Sequence, residues 1–404
     1  MPRRREVWTQ TIALLVLCAS PAAGQATQPP PAAEAALLVG RLSVFPSLTL
    51  RDVGVDNNVF NENLNPKQDF TLTAEPGVRA SMPVGGMQLT GAATLGLVYY
   101  ATYKSQQSVN GRFDGRFERT AARLRPFMAG TFSNTRERTV EIDARVLRRD
   151  TGLSGGAEVK VTGITSLIGS YSHTSHGYGD DEQFLGTVLS TQLDHISDVA
   201  SAGAKFAFTP LTTVSVDVQL QRDRFESSAI RDTDSLRVMP AVEFAPDAVI
   251  TGRAAAGFRR FDPRDSRVNQ FSGFVGSANV GYSLLDVTRF SVDAVRDVMY
   301  SFDPATPYFL QTSARLTVSQ RVGGPVDVIV TAGRDQLRYQ GLESLALPER
   351  VERTRTVGGG LGFRLGRLLR LALVYDVTER VSNLLDQRAY ERRRLLGSMT
   401  YGRH

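Results

Sequence analysis

From residue 44 onward, apolar and polar side chains alternate with a period of two in one segment after another. In residues 212–224, Val214, Val216, Val218 and Leu220 fall on one face and Ser215, Asp217, Gln219 and Gln221 on the other. The same split sets Phe70, Leu72 and Val78 against Thr73, Glu75 and Arg79. It sets Val292, Ala294 and Val298 against Ser291, Asp293 and Asp297, and Leu316 and Val318 against Arg315, Thr317 and Ser319. Near the end, Leu369, Leu371, Leu373 and Tyr375 oppose Arg370, Asp376 and Thr378. One face suits hydrocarbon and the other suits water.

The connectors alternate too. Tight turns are predicted at Val84-Gly85-Gly86, Ala121-Ala122, Gly163-Ile164, Pro210-Leu211, Pro246-Asp247, Leu285-Asp286, Gly323-Gly324 and Gly366-Arg367, several carrying the Gly, Pro or Asp that short hairpins require. Between them lie longer polar stretches at residues 57–68, 104–108, 136–145, 179–194, 226–232, 263–269, 302–307, 340–349 and 382–388. Short and long connectors therefore sit at opposite strand ends. The pattern predicts an all-β fold: a transmembrane, up-and-down antiparallel β-barrel of about eighteen strands, within a range of roughly sixteen to twenty, over residues 41–404. An even count puts both termini on one side, the periplasm, with the long loops outside a Gram-negative outer membrane. The least regular stretch is 138–148, where Ile142, Arg145 and Val146 read either as a strand or as part of a loop.

Aromatic rings settle at membrane interfaces. On the predicted lipid face, Tyr99, Tyr300 and Tyr308 fall near the outer strand ends, and Phe208, Phe244, Tyr282 and Tyr401 near the inner ones. A soluble sandwich would have shorter strands and no reason for turn length to alternate.

The first residues add a location. Arg3, Arg4 and Arg5, the apolar run of residues 12–19, and the small residues Ala22, Ala23 and Gly24 have the order of a secretory signal peptide, residues 1–24. Residues 25–40 read as a Pro/Ala-rich periplasmic tail. The one cysteine, Cys18, and the one tryptophan, Trp8, both fall in the signal, and the bulky Leu17 argues against lipidation at Cys18. The formal net charge of +6, about +4 without the signal, is too mild and too evenly spread to point to nucleic acid.

Candidate chemistry lies on the water-facing set. Arg79, Arg112, Arg116, Glu118, Lys160, Lys205, Asp217, Arg237, Glu243, Asp293, Arg315 and Arg364, with Glu75, Asp114 and Glu158, interleave both signs of charge. They can stiffen the wall by pairing across strands, or line a conduit for a hydrophilic solute. Four histidines are too scattered for a metal centre, and no cofactor is expected. Ser172 and Ser175 beside His173 and His176 offer the parts of a rim hydrolase, a chance cluster being the simpler reading. Asp180, Asp181 and Glu182 read as a solvated loop or a divalent-cation contact to lipopolysaccharide. Gly358, Gly359, Gly360 and Gly362 lie inside a strand and suit close packing of the wall. Gly397, Met399 and Tyr401 share one face of the last segment, which resembles the terminal strand read by the barrel-assembly machinery except that its final aromatic, Tyr401, is displaced from the last position.

Asp56, Asn57, Asn58, Val59 and Phe60, followed by Asp69 at the opening of the second strand, carry a resemblance. They are similar to the opening hairpin of the outer-membrane family called putative β-barrel porin 2. That resemblance implies passage of a secreted exopolysaccharide across the outer membrane, beside periplasmic polysaccharide export proteins, and supplies no catalytic residue. A general or sugar-selective diffusion porin is the alternative. Locally, Asp56 and the two asparagines suit a turn, and Val59 and Phe60 are placed to enter the barrel mouth.

Overall fold

The computed structural model describes residues 37–119, 123–285, 287–343, 348–366 and 368–402. The expected signal, most of the tail, Trp8 and Cys18 lie outside the described residues, as do Ala121, Ala122, Asp286, Arg367, Arg403 and His404. The period-two segments form eighteen barrel strands: β1 Leu42–Asp56, β2 Asp69–Val84, β3 Met87–Tyr100, β4 Ser108–Arg119, β5 Leu124–Glu137 and β6 Val146–Lys160. Then come β7 Thr165–Tyr178, β8 His195–Thr209, β9 Thr212–Phe225, β10 Thr233–Phe244, β11 Ile250–Pro263 and β12 Phe271–Leu284. The series ends with β13 Thr288–Tyr300, β14 Tyr308–Gly323, β15 Val326–Gln340, β16 Val351–Leu365, β17 Leu369–Ser382 and β18 Tyr390–Tyr401. A three-residue strand, Leu37–Val39, pairs with the start of β1, so the end of the expected tail is built into the sheet edge.

Each strand pairs antiparallel with its sequence neighbour, and β1 pairs with β18 from Leu48↔Tyr401 to Asp56↔Arg394, closing the cylinder. Closure is what lipid demands, since hydrocarbon offers no partner to an open edge. The closing seam is tight: a Cβ on Gly54 would lie 2.0 Å from the Leu395 carbonyl oxygen, so a glycine is required there. Strands of 12 to 16 residues exceed the ~9–11 that cross a bilayer, and their upper ends extend beyond it.

The outward face is apolar and exposed, as at Val216, Leu220, Val330, Leu361 and Leu373. Tyr99, Phe208, Tyr282 and Tyr401 are exposed on it, with Phe244 half-buried. Tyr300, Tyr308 and Val298 are not. Tyr308 is 2% exposed, Val298 5%, and both pack inside the barrel. The cause is a split in the sheet. The β12–β13 ladder stops at Gly276↔Arg296, while β13–β14 pairing continues to Tyr300↔Tyr308 and β11–β12 pairing to Phe261↔Phe271. Above Arg296 the β13–β14 hairpin leans inward, so its formerly outward side chains meet the inner wall at Phe261 and Phe271. Arg296 Nε donates to the Phe274 carbonyl at 3.2 Å, occupying a ladder position that β13 has left.

The long loops are L1 (57–68), L2 (101–107), L3 (138–145), L4 (179–194), L5 (226–232), L6 (264–270), L7 (301–307), L8 (341–350) and L9 (383–389), all at one end. L4 contains a two-residue hairpin pair, Gln183–Phe184 with Thr187–Val188, and a single helical turn, Leu189–Leu193. The ambiguous stretch resolves into a loop followed by β6, which begins at Val146.

Candidate functional site

L3 does not project into solvent; it turns into the barrel. Ile142, 1% exposed, packs with Val146, with Phe184, Leu189 and Leu193 of L4, and with Phe302 of L7. Val140 meets Phe309, Leu337 and Tyr339 on β14 and β15. Burying these apolar side chains stabilises the inward fold by roughly 1.5–3 kcal/mol apiece. Polar latches fix its position. Ser301 Oγ donates to Glu141 Oε1 at 2.6 Å and the Phe302 amide donates to Oε2 at 3.3 Å. L3 follows β5 and L7 follows β13, so this latch joins loops eight strands apart on an eighteen-strand ring, nearly a full diameter.

Around that latch is a buried network of arginines and carboxylates. Glu352 on β16, 1% exposed, receives Arg350 Nε at 2.9 Å, Arg388 Nη2 at 3.1 Å and Arg380 Nη2. Asp143 of L3 accepts from Arg388 Nη1 at 3.0 Å and pairs with Arg380 at 3.5 Å. Arg380 Nη1 also donates to the Val140 carbonyl at 2.9 Å, and Arg388 Nη2 to that of Glu141. Arg350 continues to Asp303 of L7 at 3.1 Å and lies 3.9 Å from the Tyr339 ring centre. Arg231 of L5 donates to the carbonyls of Ser301 at 3.0 Å and Asp303 at 2.9 Å. Buried charges require such partners. Burial pushes Glu141 up to about 7, against the opposing pull of Ser301, Arg388, the Phe302 amide and Arg350. Burial pushes Arg231 down to about 10, partly offset by Glu141 and Asp303.

The inward hairpin has its own anchors. Asp297 accepts from Arg237 and from Arg259, each at 2.8 Å, and the Tyr300 hydroxyl bonds Asp223 and Thr233. Its ring stacks edge-on to Phe225 with centroids 4.7 Å apart.

A family model described as putative beta-barrel porin 2 matches residues 30–401. The chain belongs to that family. The porin family and the barrel fold place it in an outer membrane and give it the architecture of a channel. No curated protein matches the sequence. Among solved structures it is similar to Pseudomonas aeruginosa OccK2 (OpdF) in complex with glucuronate, at 11% identity and TM-score 0.49, covering 89% of this chain and 98% of that one. It is similar to Pseudomonas aeruginosa OpdK with vanillate at 12% identity and TM-score 0.48, and to a BenF-like porin from Pseudomonas fluorescens Pf-5 at 11% and 0.48, with 89% and 98% covered in both. The likeness concerns barrel shape alone.

In this porin the register puts Arg79, Arg112, Arg116, Glu118, Lys160, Lys205, Asp217, Arg237, Glu243, Asp293, Arg315 and Arg364 on the lumen-facing parity. They are not gathered at one place. Of the twelve only Arg237 is buried and built into the filled mouth. Many of the others pair along the wall: Arg112 with Glu137 at 2.6 Å, Arg116 with Glu118 at 2.7 Å, Lys205 with Glu158 at 3.5 Å and Asp217 with Arg253 at 3.2 Å. Arg364 and Arg370 share Asp327, whose carboxylate occupies the space a Cβ on Gly362 would take, 2.5 Å away.

The motif residues hold loops. Asp56 pairs with Arg392, and its Oδ1 accepts the Asn58 amide at 3.0 Å. Asn58, 0% exposed, donates to the Glu62 and Glu391 carbonyls at 2.8 and 2.9 Å, tying L1 to β18. Asn57 Oδ1 accepts the Arg393 amide at 2.6 Å. Val59 is buried against Val98 and Tyr100, and Phe60 meets Tyr103 edge-on at 5.0 Å. Asp69 accepts the amides of Phe70, Thr102 and Tyr103, fixing L2.

The residues of the rim cluster divide between the two faces of β7. Ser172 and His176 face the lumen, whereas His173 faces outward and bonds Asp198 at 2.8 Å, with the Tyr171 hydroxyl on the same carboxylate at 2.6 Å. Glu182 is held by Arg136. Glu141, Asp143, Arg231, Arg350, Glu352, Arg380 and Arg388, the core of the site, were not singled out by the alternation. The available signal was apolar residues inside supposedly solvated loops: Ile142, Phe184, Leu189, Leu193 and Phe302.

Proposed function

We propose that the chain is a passive, solute-selective diffusion porin, with its long loops at the cell surface and its termini in the periplasm. The observation that carries this reading is the filled mouth: L3, L4 and the β13–β14 hairpin bury Ile142, Leu189, Phe261, Arg231, Arg388 and Glu352 to within 2% exposure. A threaded polymer needs a continuous open lumen. A small hydrophilic solute needs only loop displacements, and it meets arginine and carboxylate groups on the way. The charged, half-exposed wall toward the short turns serves as the periplasmic vestibule. Polysaccharide export, implied by the family resemblance, would require L3 and the hairpin to leave the lumen together.

Liposome swelling with solutes of graded size separates the two readings. Permeation by mono- and disaccharides with a sharp cutoff supports the porin; passage of a long polysaccharide through the unmodified protein refutes it.

A further inference from the structure

On the outward face near the long-loop end, four arginines crowd two adjacent strands. Arg334 of β15 stands directly opposite Arg355 of β16, Gln336 opposite Arg353, and Arg338 opposite Val351. They share parity with Val330 and Val357, which are 52% and 61% exposed, and with Leu361 and Phe363. The arginines therefore sit at the border where the apolar band ends.

Like charges directly opposite one another destabilise a ladder. Elsewhere on this border the chain supplies the counter-ion: Arg224 and Arg264 reach Asp234 at 2.6 and 3.1 Å, and Arg260 reaches Asp262 at 2.9 Å. Of the four outward arginines on β15 and β16, Arg338 alone is so matched among the described residues, by Glu349 at 3.0 Å. Arg334, Arg353 and Arg355 make no ion pair among the described residues, although Glu379 stands opposite Arg355 on β17. Three of the four guanidiniums are thus left without a carboxylate partner among the described residues, at the height where the apolar band ends.

We propose that this face binds the phosphorylated sugar headgroup of an outer-leaflet glycolipid, lipopolysaccharide. The guanidinium forks of Arg334, Arg353 and Arg355 grip its phosphates. The apolar stripe of Val330, Val357 and Leu361 below them lies along its acyl chains. The inference rests on the orientation proposed above, with the long loops outside.

The test uses the purified full chain in detergent, native mass spectrometry, and three probes: rough-type lipopolysaccharide, its dephosphorylated form and phosphatidylglycerol. The variants are the triple substitution Arg334→Gln, Arg353→Gln, Arg355→Gln, and Arg260→Gln as a control where a carboxylate already serves. The expected result is retention of the phosphorylated glycolipid that the triple variant weakens roughly tenfold or more. The control should leave it unchanged, and removing the phosphates should abolish the difference. Equal retention by the unmodified and triple-variant proteins overturns the proposal. So does equal preference for phosphatidylglycerol, or a triple variant that changes only self-association, which would assign the face to a second copy. Heat-modifiable gel mobility checks that the triple variant folds; should it not, Arg355→Gln alone is read the same way for a smaller loss. Orientation is read independently by labelling Asn63→Cys with a membrane-impermeant maleimide on intact cells. Failure there sinks the orientation without altering the detergent result.

Discussion

Asp143, in L3, accepts a hydrogen bond at 3.0 Å from Arg388, in L9, a loop six strands away around the ring. That contact converts a surface loop into a wall-to-wall strut. Arg388 also serves Glu352, itself 1% exposed, so one guanidinium links two carboxylates that Arg380 contacts as well.

Arg388→Ala takes one partner from each carboxylate and leaves Asp143 to Arg380 and Glu352 to Arg350 and Arg380. The local structure is expected to lose roughly 1–3 kcal/mol, loosening L3 while the barrel remains closed. Single-channel recordings in planar bilayers should show higher and noisier conductance, with normal heat-modifiable mobility on gels. Unchanged conductance in a folded variant would show that L3 is not restrained by this residue.

Acidity should tighten the mouth. Burial raises the Glu141 carboxyl from an ordinary 4.5 to about 7, so the docked loop favours the protonated form. Docking is at full strength below 4.5, weakens as the undocked carboxyl ionises, and is weakest above about 7, where both states are charged. Conductance is therefore expected to rise as pH is taken from about 5 to about 8. Glu141→Gln keeps an acceptor for the Ser301 hydroxyl and should give a flat profile. A slope that survives in the Gln variant would locate the sensor elsewhere.

Asn58→Ala removes a side chain that bonds Glu62 and Glu391 at once and leaves their carbonyls without that donor. A local loss of roughly 1–3 kcal/mol is expected, confined to L1. Limited trypsinolysis should cut faster at Lys67, with no shift in the unfolding of the barrel. Equal cleavage rates would mean that Val59 in its apolar pocket holds L1 alone.

Gly360→Val tests the lumen-facing glycines of β16. A Cβ there would lie 2.4 Å from the Leu373 carbonyl, a backbone atom that cannot swing away. The strand must shift, and a loss on the order of 2–4 kcal/mol is expected, read as a lower temperature for the heat-modifiable mobility change. An unchanged midpoint would mean that β16 and β17 are free to separate.

Much of this barrel is legible in the sequence, because a period of two and an alternation of connector lengths are direct consequences of closing a sheet in lipid. L1 and L4 run over residues 57–68 and 179–194, as the polar stretches indicate, and the strands number eighteen. Tyr300 and Tyr308 show where that legibility ends. Period two assigns them a face but does not say whether lipid or another wall covers it; the split beyond Gly276↔Arg296 decides that, and it is a tertiary event. The arginine network is hidden for a similar reason. Arg380 lies on the lumen parity of β17 like its neighbours, while Arg231, Arg350 and Arg388 sit in loops where a charge ordinarily signals solvent. The inward fold is marked in other loops, by the apolar Ile142 in L3 and Phe302 in L7 among polar neighbours and by Phe184, Leu189 and Leu193 in L4.

L3 lies across the lumen against L7. Cysteines replacing Glu141 and Ser301, whose side chains meet at 2.6 Å, can be joined by a short bifunctional thiol reagent in the folded protein. An efficient intramolecular cross-link is expected, with a fall in solute conductance that reverses when a cleavable linker is reduced. A folded protein that forms no cross-link and labels freely at both positions would contradict it.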